Sequence, residues 1–148
     1  MQIRANVQAI HRWRRTRWTL VLMGVLLPYV AQLGSDAGLQ TYADIGWQGH
    51  LFLFAMSAVL WLPLLGLTWL YHHPKCIWWP AVLGLGFAFW AHVSVDLSED
   101  AQAGLAVVMI PVLSLAPLAI GAVIGWALDR RARRNAALMA LDGSKLRP

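Results

Sequence analysis

AQAGLAVVMIPVLSLAPLAIGAVIGWALDRRARR, residues 101–134, decides the fold. Residues 101–128 carry no charge, and residues 129–134 then bring one acid and four arginines. A run of that length exceeds the roughly 20 residues that cross a hydrocarbon core of about 30 Å. A basic block directly after it halts translocation and holds that end in the cytoplasm. Pro111 and Pro117 both interrupt the helical ladder, and the surplus length leaves room for tilt or a bend.

Working outward, the same pattern repeats. Residues 94–100 (SVDLSED) read as a tight outer turn, with Ser98 as an N-cap and Glu99 and Asp100 against the positive end of the next helix dipole. Before it, residues 77–95 form an apolar helix, with Pro80 suited to the first turn. HHPKC, residues 72–76, is too short for anything but a tight inner turn between antiparallel neighbours, and Pro74 stops the preceding helix. That helix covers residues 50–71 and holds Pro63, so a kink and a freed carbonyl near Val59 are expected. Residues 34–49 have loop chemistry, with an interfacial turn around 39–47. Residues 18–33 form the first span, short unless its flanks contribute, with Arg17 snorkelling to the interface and Pro28 bending its outer half. Residues 1–17 carry Ile3, Val7 and Ile10 at helical spacing among arginines, which predicts a short helix on the membrane surface. A signal peptide is the rival reading of this start, but no small-x-small cleavage site follows. The basic tail covers 129–148, and its last residues, 135–148, are expected to be partly disordered.

The fold class that results is all-α: a polytopic, antiparallel four-helix transmembrane bundle, N-in and C-in. Charge placement supports it. All twelve Lys and Arg fall in residues 1–17, at Lys75, or after Leu128, together with two acids, Asp129 and Asp142. The other five acids, Asp36, Asp44, Asp96, Glu99 and Asp100, occupy the two connections on the opposite side. Trp18, Trp69, Trp78, Trp79 and Trp126 fall at the inner interface, Trp47 and Trp90 at the outer one, and Trp61 in mid-span. The composition, 59% hydrophobic and 13% charged, departs from the roughly one-quarter charged residues of soluble domains. The net charge of +5 is topological, so it points to anionic lipid headgroups and not to nucleic acid, for which the soluble segments are too short. The single cysteine, Cys76, builds no disulfide framework within one chain. The localisation these features imply is a bacterial inner membrane, crossed several times, with both termini cytoplasmic.

Few residues carry chemistry. Helix 50–71 has a weakly polar stripe, His50, Ser57, Trp61 and Thr68, which should face other helices. Helix 77–95 has a small stripe, Ala81, Gly84, Ala88 and Ala91, and the last span carries Gly121-x-x-x-Gly125. Small residues let backbones approach, so Gly84, Ala88, Gly121, Gly125, Ser57 and Trp61 are assigned to helix packing or to a partner. Internal packing is the ordinary reading, with homo-oligomerisation the alternative. Asp96, Glu99 and Asp100 could form an outer docking edge, beside their ordinary role as cap and solvated turn. His50 and His92 should lie at similar depth on antiparallel helices. Two such histidines could hold haem iron or, with Asp96, a divalent metal; the plainer reading is two hydrogen-bonded interfacial histidines. His72 and His73 read as solvated turn residues. No span carries a central Lys, Arg, Asp or Glu, and no nucleophile triad or phosphate loop is present in the sequence, which argues against an enzyme.

Residues 98–131, SEDAQAGLAVVMIPVLSLAPLAIGAVIGWALDRR, resemble the ending of small uncharacterised four-helix integral membrane proteins of Gram-negative bacteria. There a DAQA opening leads into an apolar run, an Ile-Pro step, a Gly-rich stretch and a basic stop. The resemblance implies fold and membrane, with no catalytic residue. By size and topology, such chains include immunity proteins against membrane-acting toxins and accessory subunits of membrane complexes. The function expected is therefore non-enzymatic binding of another membrane protein or toxin, with no cofactor. A redox protein holding haem or divalent metal on His50 and His92 is one alternative, and a small channel or transporter subunit is another.

Overall fold

The structure, a computed structural model, describes residues 2–33, 44, 46–95 and 103–145. Every regular element among the described residues is helical: α1 Gln2–Ala31, α2 Gly46–Leu70, a 3-10 turn Pro74–Ile77, α3 Trp78–Ser94, α4 Ala103–Leu113 and α5 Leu115–Lys145. Three stretches are long and apolar enough to cross a membrane: Gly46–Leu70, Pro74–Ser94 and Val108–Met139. These fit a multi-pass membrane protein.

The expected first span stands apart from these three. α1 is one continuous helix from Gln2, not a surface helix followed by a separate span at residue 18. No Gly or Pro interrupts residues 2–23, and Arg, Gln, Ala and Leu all favour helix. Its five arginines confine the apolar part to residues 18–31, about 21 Å of helix against a core of about 30 Å.

α1 nonetheless lies along α2 for the whole of that part. Arg17 Nε donates to Thr68 Oγ1 at 2.9 Å, Gly24 faces Trp61, and Tyr29 Oη meets His50 Nδ1 at 3.1 Å. As α1 numbers rise the α2 partners fall, so the two helices run antiparallel. The Arg17 guanidinium also sits 5.6 Å from the centre of the Trp69 ring, at the basic end.

A second antiparallel seam joins α3 and the 3-10 turn to α5. Gly84 faces Leu118, Pro80 faces Gly121, and Cys76 faces Gly125. The core between the seams is small: Leu20, Leu60, Leu64, Ile77, Leu85 and Leu118 are among its members.

The last span is broken where proline chemistry requires it. α4 ends at Leu113 and α5 starts at Leu115. Pro117 has no N–H for the Leu113 carbonyl. Ser114 bridges the break: its N–H and its hydroxyl both donate to Ile110 O, at 2.9 and 2.7 Å. Ser114 is fully buried, so both donors need that acceptor. Pro28 and Pro63 fall inside α1 and α2 without ending either helix. Beyond the basic stop, α5 continues to Lys145, so residues 135–145 of the stretch expected to be partly disordered are helical, and residues 146–148 lie outside the described residues.

The outward faces are apolar. Leu22, Leu26, Phe52, Leu62, Val82 and Val123 are all exposed. Exposed tryptophans form two levels: Trp18, Trp69, Trp78, Trp79 and Trp126 at the basic end, and Trp47 and Trp90 at the other. A contiguous apolar surface of this kind is stable where lipid is the solvent.

The glycines divide into two kinds. A Cβ on Gly121 would stand 2.5 Å from Pro80 Cα, whereas one on Gly66 or Gly86 would meet nothing within 4 Å. Gly121→Ala is therefore expected to destabilise the detergent-solubilised protein by about 2 kcal/mol or more, as overpacking against fixed backbone does. Gly66→Ala should be neutral or stabilising by up to about 1 kcal/mol. Melts followed by circular dichroism distinguish the two; equal melting temperatures would contradict the seam.

Candidate functional site

The densest polar construction lies at the basic end, where the α2–α3 turn meets α5. Gly121, Gly125 and Asp129 stand at i, i+4 and i+8, on one face of α5. A Cβ on Gly121 would come within 2.7 Å of Trp79 O, and one on Gly125 within 2.6 Å of Cys76 O. The two glycines thus bring α5 against bare backbone. Asp129 then reaches the turn itself. Its Oδ1 accepts from the backbone N–H of His73 at 2.8 Å and of His72 at 3.1 Å.

Asp129 has no exposed surface. A buried carboxylate is costly unless paired and hydrogen-bonded. Arg133, one turn on, places Nη2 3.1 Å from Asp129 Oδ2, and His72 Nδ1 stands 3.8 Å from the same oxygen. Oδ2 makes no aligned hydrogen bond, so its stabilisation is the charge of Arg133. Beside it, the Tyr71 hydroxyl donates to Ala122 O at 2.7 Å. Tyr71 lies just beyond the end of α2. Burial, and then the nearness of Cys76 and Asp129, push its hydroxyl up to about 12, so it remains a donor at any physiological pH.

Sequence reasoning read Asp129 only as part of the basic stop. The signal was its position four residues after Gly125 and four before Arg133, which continues the glycine face and supplies a cation. His72 and His73 are exposed in their side chains, as a turn reading expects, yet their backbone N–H groups hold the turn to α5.

Two cavities flank this end. One, of about 510 Å³, is lined by Thr16, His73, Lys75, Trp78, Leu128 and Ala132, among others. The other, of about 360 Å³, is formed by Trp126, Arg130, Arg133, Arg134 and Ala137. Arg130 lies over the Trp126 ring at 5.3 Å.

The remaining candidates are placed as follows. Gly84 and Ala88 are buried in the α3 seam, and a Cβ on Gly84 would stand 2.9 Å from Leu118 Cβ. Gly84, Gly121 and Gly125 are therefore occupied by this chain's own backbone and side chains. Ser57 is buried and its hydroxyl donates to Phe54 O at 2.9 Å. Trp61 packs on Gly24, and its Nε1 is buried without an acceptor among the described residues.

The two histidines are engaged separately. His50 is half-buried and meets Tyr29, with ring centres 5.9 Å apart. His92 is buried, and its Nδ1 lies 2.8 Å from Ala88 O, the carbonyl one turn earlier. Gln32 Nε2 donates to His92 O at 3.0 Å, which ties the end of α1 to the end of α3. Ser57, His92 and Pro111 share a cavity of about 20 Å³, room for one water molecule. On both rings, Nε2 is the nitrogen left for any ligand, and no group of three or more His, Cys, Asp and Glu comes together among the described residues. Asp96, Glu99 and Asp100 lie outside the described residues.

Comparison of the chain with protein-family models, curated proteins and solved structures finds no match.

Asp129→Ala removes the acceptor of two backbone donors and the partner of Arg133. It is expected to cost about 2–4 kcal/mol, from hydrogen bonds to a charged group and a broken ion pair. The check is a detergent melt beside Arg133→Ala, which leaves both N–H bonds in place and should cost less. If the two variants melted alike, the turn-holding role would be lost.

Proposed function

We propose that this is a four-span protein of a bacterial inner membrane, with both termini cytoplasmic, that works without catalysis by binding another membrane protein inside the bilayer. Protection of the cell against a membrane-inserting toxin is the concrete form. Service as an accessory subunit of a membrane complex is the close relative. The resemblance of residues 98–131 to small four-helix proteins of Gram-negative bacteria is in keeping with both.

The fourth crossing is supported by the full-length antiparallel contact of α1 with α2. It is supported also by Arg17, which Thr68 and Trp69 receive at the basic end. The charge bias of the connections supports the orientation.

The observation that carries the binding reading is α2. Of its most apolar stretch 17% is buried inside the chain, against 44% for the stretch holding α3. Its polar groups, Ser57 and Thr68, turn inward. Phe52, Ala55, Leu62, Gly66 and Trp69, spaced 3, 7, 4 and 3 apart, share one exposed face. Gly66 adds a notch in that face, since nothing stands within 4 Å of where its Cβ would be. Helix association in lipid depends on such close approach and not on apolarity, which the lipid already matches.

A photo-crosslinking residue at Leu62, 54% exposed, should capture a specific membrane protein in native membranes. The same residue at Leu64, which is fully buried, should give only intramolecular products. Mass spectrometry identifies the adducts. Lipid adducts alone from Leu62 would reject the binding reading. Reporters fused to the two termini test the topology independently, and signals from opposite compartments would reject it.

A further inference from the structure

A groove of about 500 Å³ runs between α1 and α3, with no α2 residue in its lining. Leu22, Leu26 and Val30 form one wall at helical spacing, and Val82, Gly86 and Phe89 form the other. Every side chain along it is apolar. From Trp78 to Phe89 it follows about 16 Å of α3, roughly one leaflet's half of a ~30 Å hydrocarbon core. It does not have the length that a membrane-crossing partner helix would fill.

Trp78 also lines the cavity of about 510 Å³ at the basic end, so the two spaces share that residue as a wall. There the lining changes character, to Lys75, His73 and Thr16. Lys75 is exposed and has no ion pair among the described residues. The one nearby buried carboxylate, Asp129, is already held by Arg133 and the turn N–H groups and does not line the cavity. An apolar slot about one leaflet long, beside a cavity that holds an unneutralised ammonium, complements the shape and charge of an anionic lipid.

We propose that the α1–α3 groove and the Lys75 cavity together form a binding site for one anionic phospholipid, with an acyl chain between the helices and the phosphate at Lys75. The site rests on the reading of the basic end as a headgroup-level surface. The lipid fills the groove between α1 and α3, and the site favours acidic headgroups over zwitterionic ones through one ammonium.

The test uses full-length protein in mild detergent, titrated with phosphatidylglycerol or phosphatidylcholine of identical chains, with bound lipid counted by native mass spectrometry. Wild type is expected to bind phosphatidylglycerol about fivefold more tightly, as one lysine near a headgroup supplies. Lys75→Gln should bring the two lipids to equal affinity. Gly86→Leu projects into open groove, so it should weaken both lipids at least fivefold without lowering helix content. Val82→Asn, at an exposed wall position, should do the same by making the slot polar. Inorganic phosphate should not displace the lipid. Equal binding of the two lipids by wild type overturns the proposal. So does a preference that survives Lys75→Gln, binding unchanged in both wall variants, or displacement by phosphate. Because Leu62 lies on α2, failure of partner capture and failure of lipid binding are separate results.

Discussion

The contact of α5 with bare backbone, at Gly121 and Gly125, is the constraint from which the rest of the architecture follows. Helices in lipid gain nothing from hiding apolar surface, because the solvent is equally apolar. They associate through close packing and through polar groups that need partners. Two missing side chains let α5 touch Pro80, Trp79 and Cys76, and Asp129 closes the line by accepting from the two turn N–H groups. With that turn held, α2 and α3 leave it as a hairpin whose direction is set, and Tyr71 adds a bond to the Ala122 carbonyl.

α1 is accommodated by this frame more than it creates it. Its apolar part is short and its charged part is long, yet its contacts run the length of α2. A cation at one end finds Thr68 and the Trp69 ring; at the other, Tyr29 and Gln32 reach His50 and the His92 carbonyl. Between these anchors the contact is Gly24 against Trp61. The side of α1 that meets α3 is less completely filled, and the groove there is the consequence. One face of the protein thus carries an apolar groove, while α2 offers the broad uncovered face on which the proposed binding rests.

The polar side chains within the spans are mostly spent locally. Ser57 and Ser114 donate to carbonyls three and four residues back, and His92 contacts the carbonyl of Ala88. Such bonds satisfy a donor without linking helices. The weakly polar stripe of α2 therefore contributes inward-facing order and leaves its outward face apolar.

Run length, charge placement and the prolines were sufficient to establish helices, three stretches able to cross a membrane, the turn at residues 72–76 and the break that Pro117 imposes. These are local or solvent-level properties: a charge or a missing N–H acts wherever the chain goes. The sequence also marked Gly84, Gly121 and Gly125 as points of close approach, without saying to what. Only the tertiary structure decided that Gly121 and Gly125 meet this chain's own turn, that Asp129 is a buried acceptor and not part of a solvated basic stop, and that His50 and His92 have different hydrogen-bond partners. It alone decided that Arg17 meets Thr68 and the Trp69 ring. A glycine face is equally suited to any backbone and an acid to any donor, so their partners are determined by which helices lie side by side, and that is a property of the whole packing.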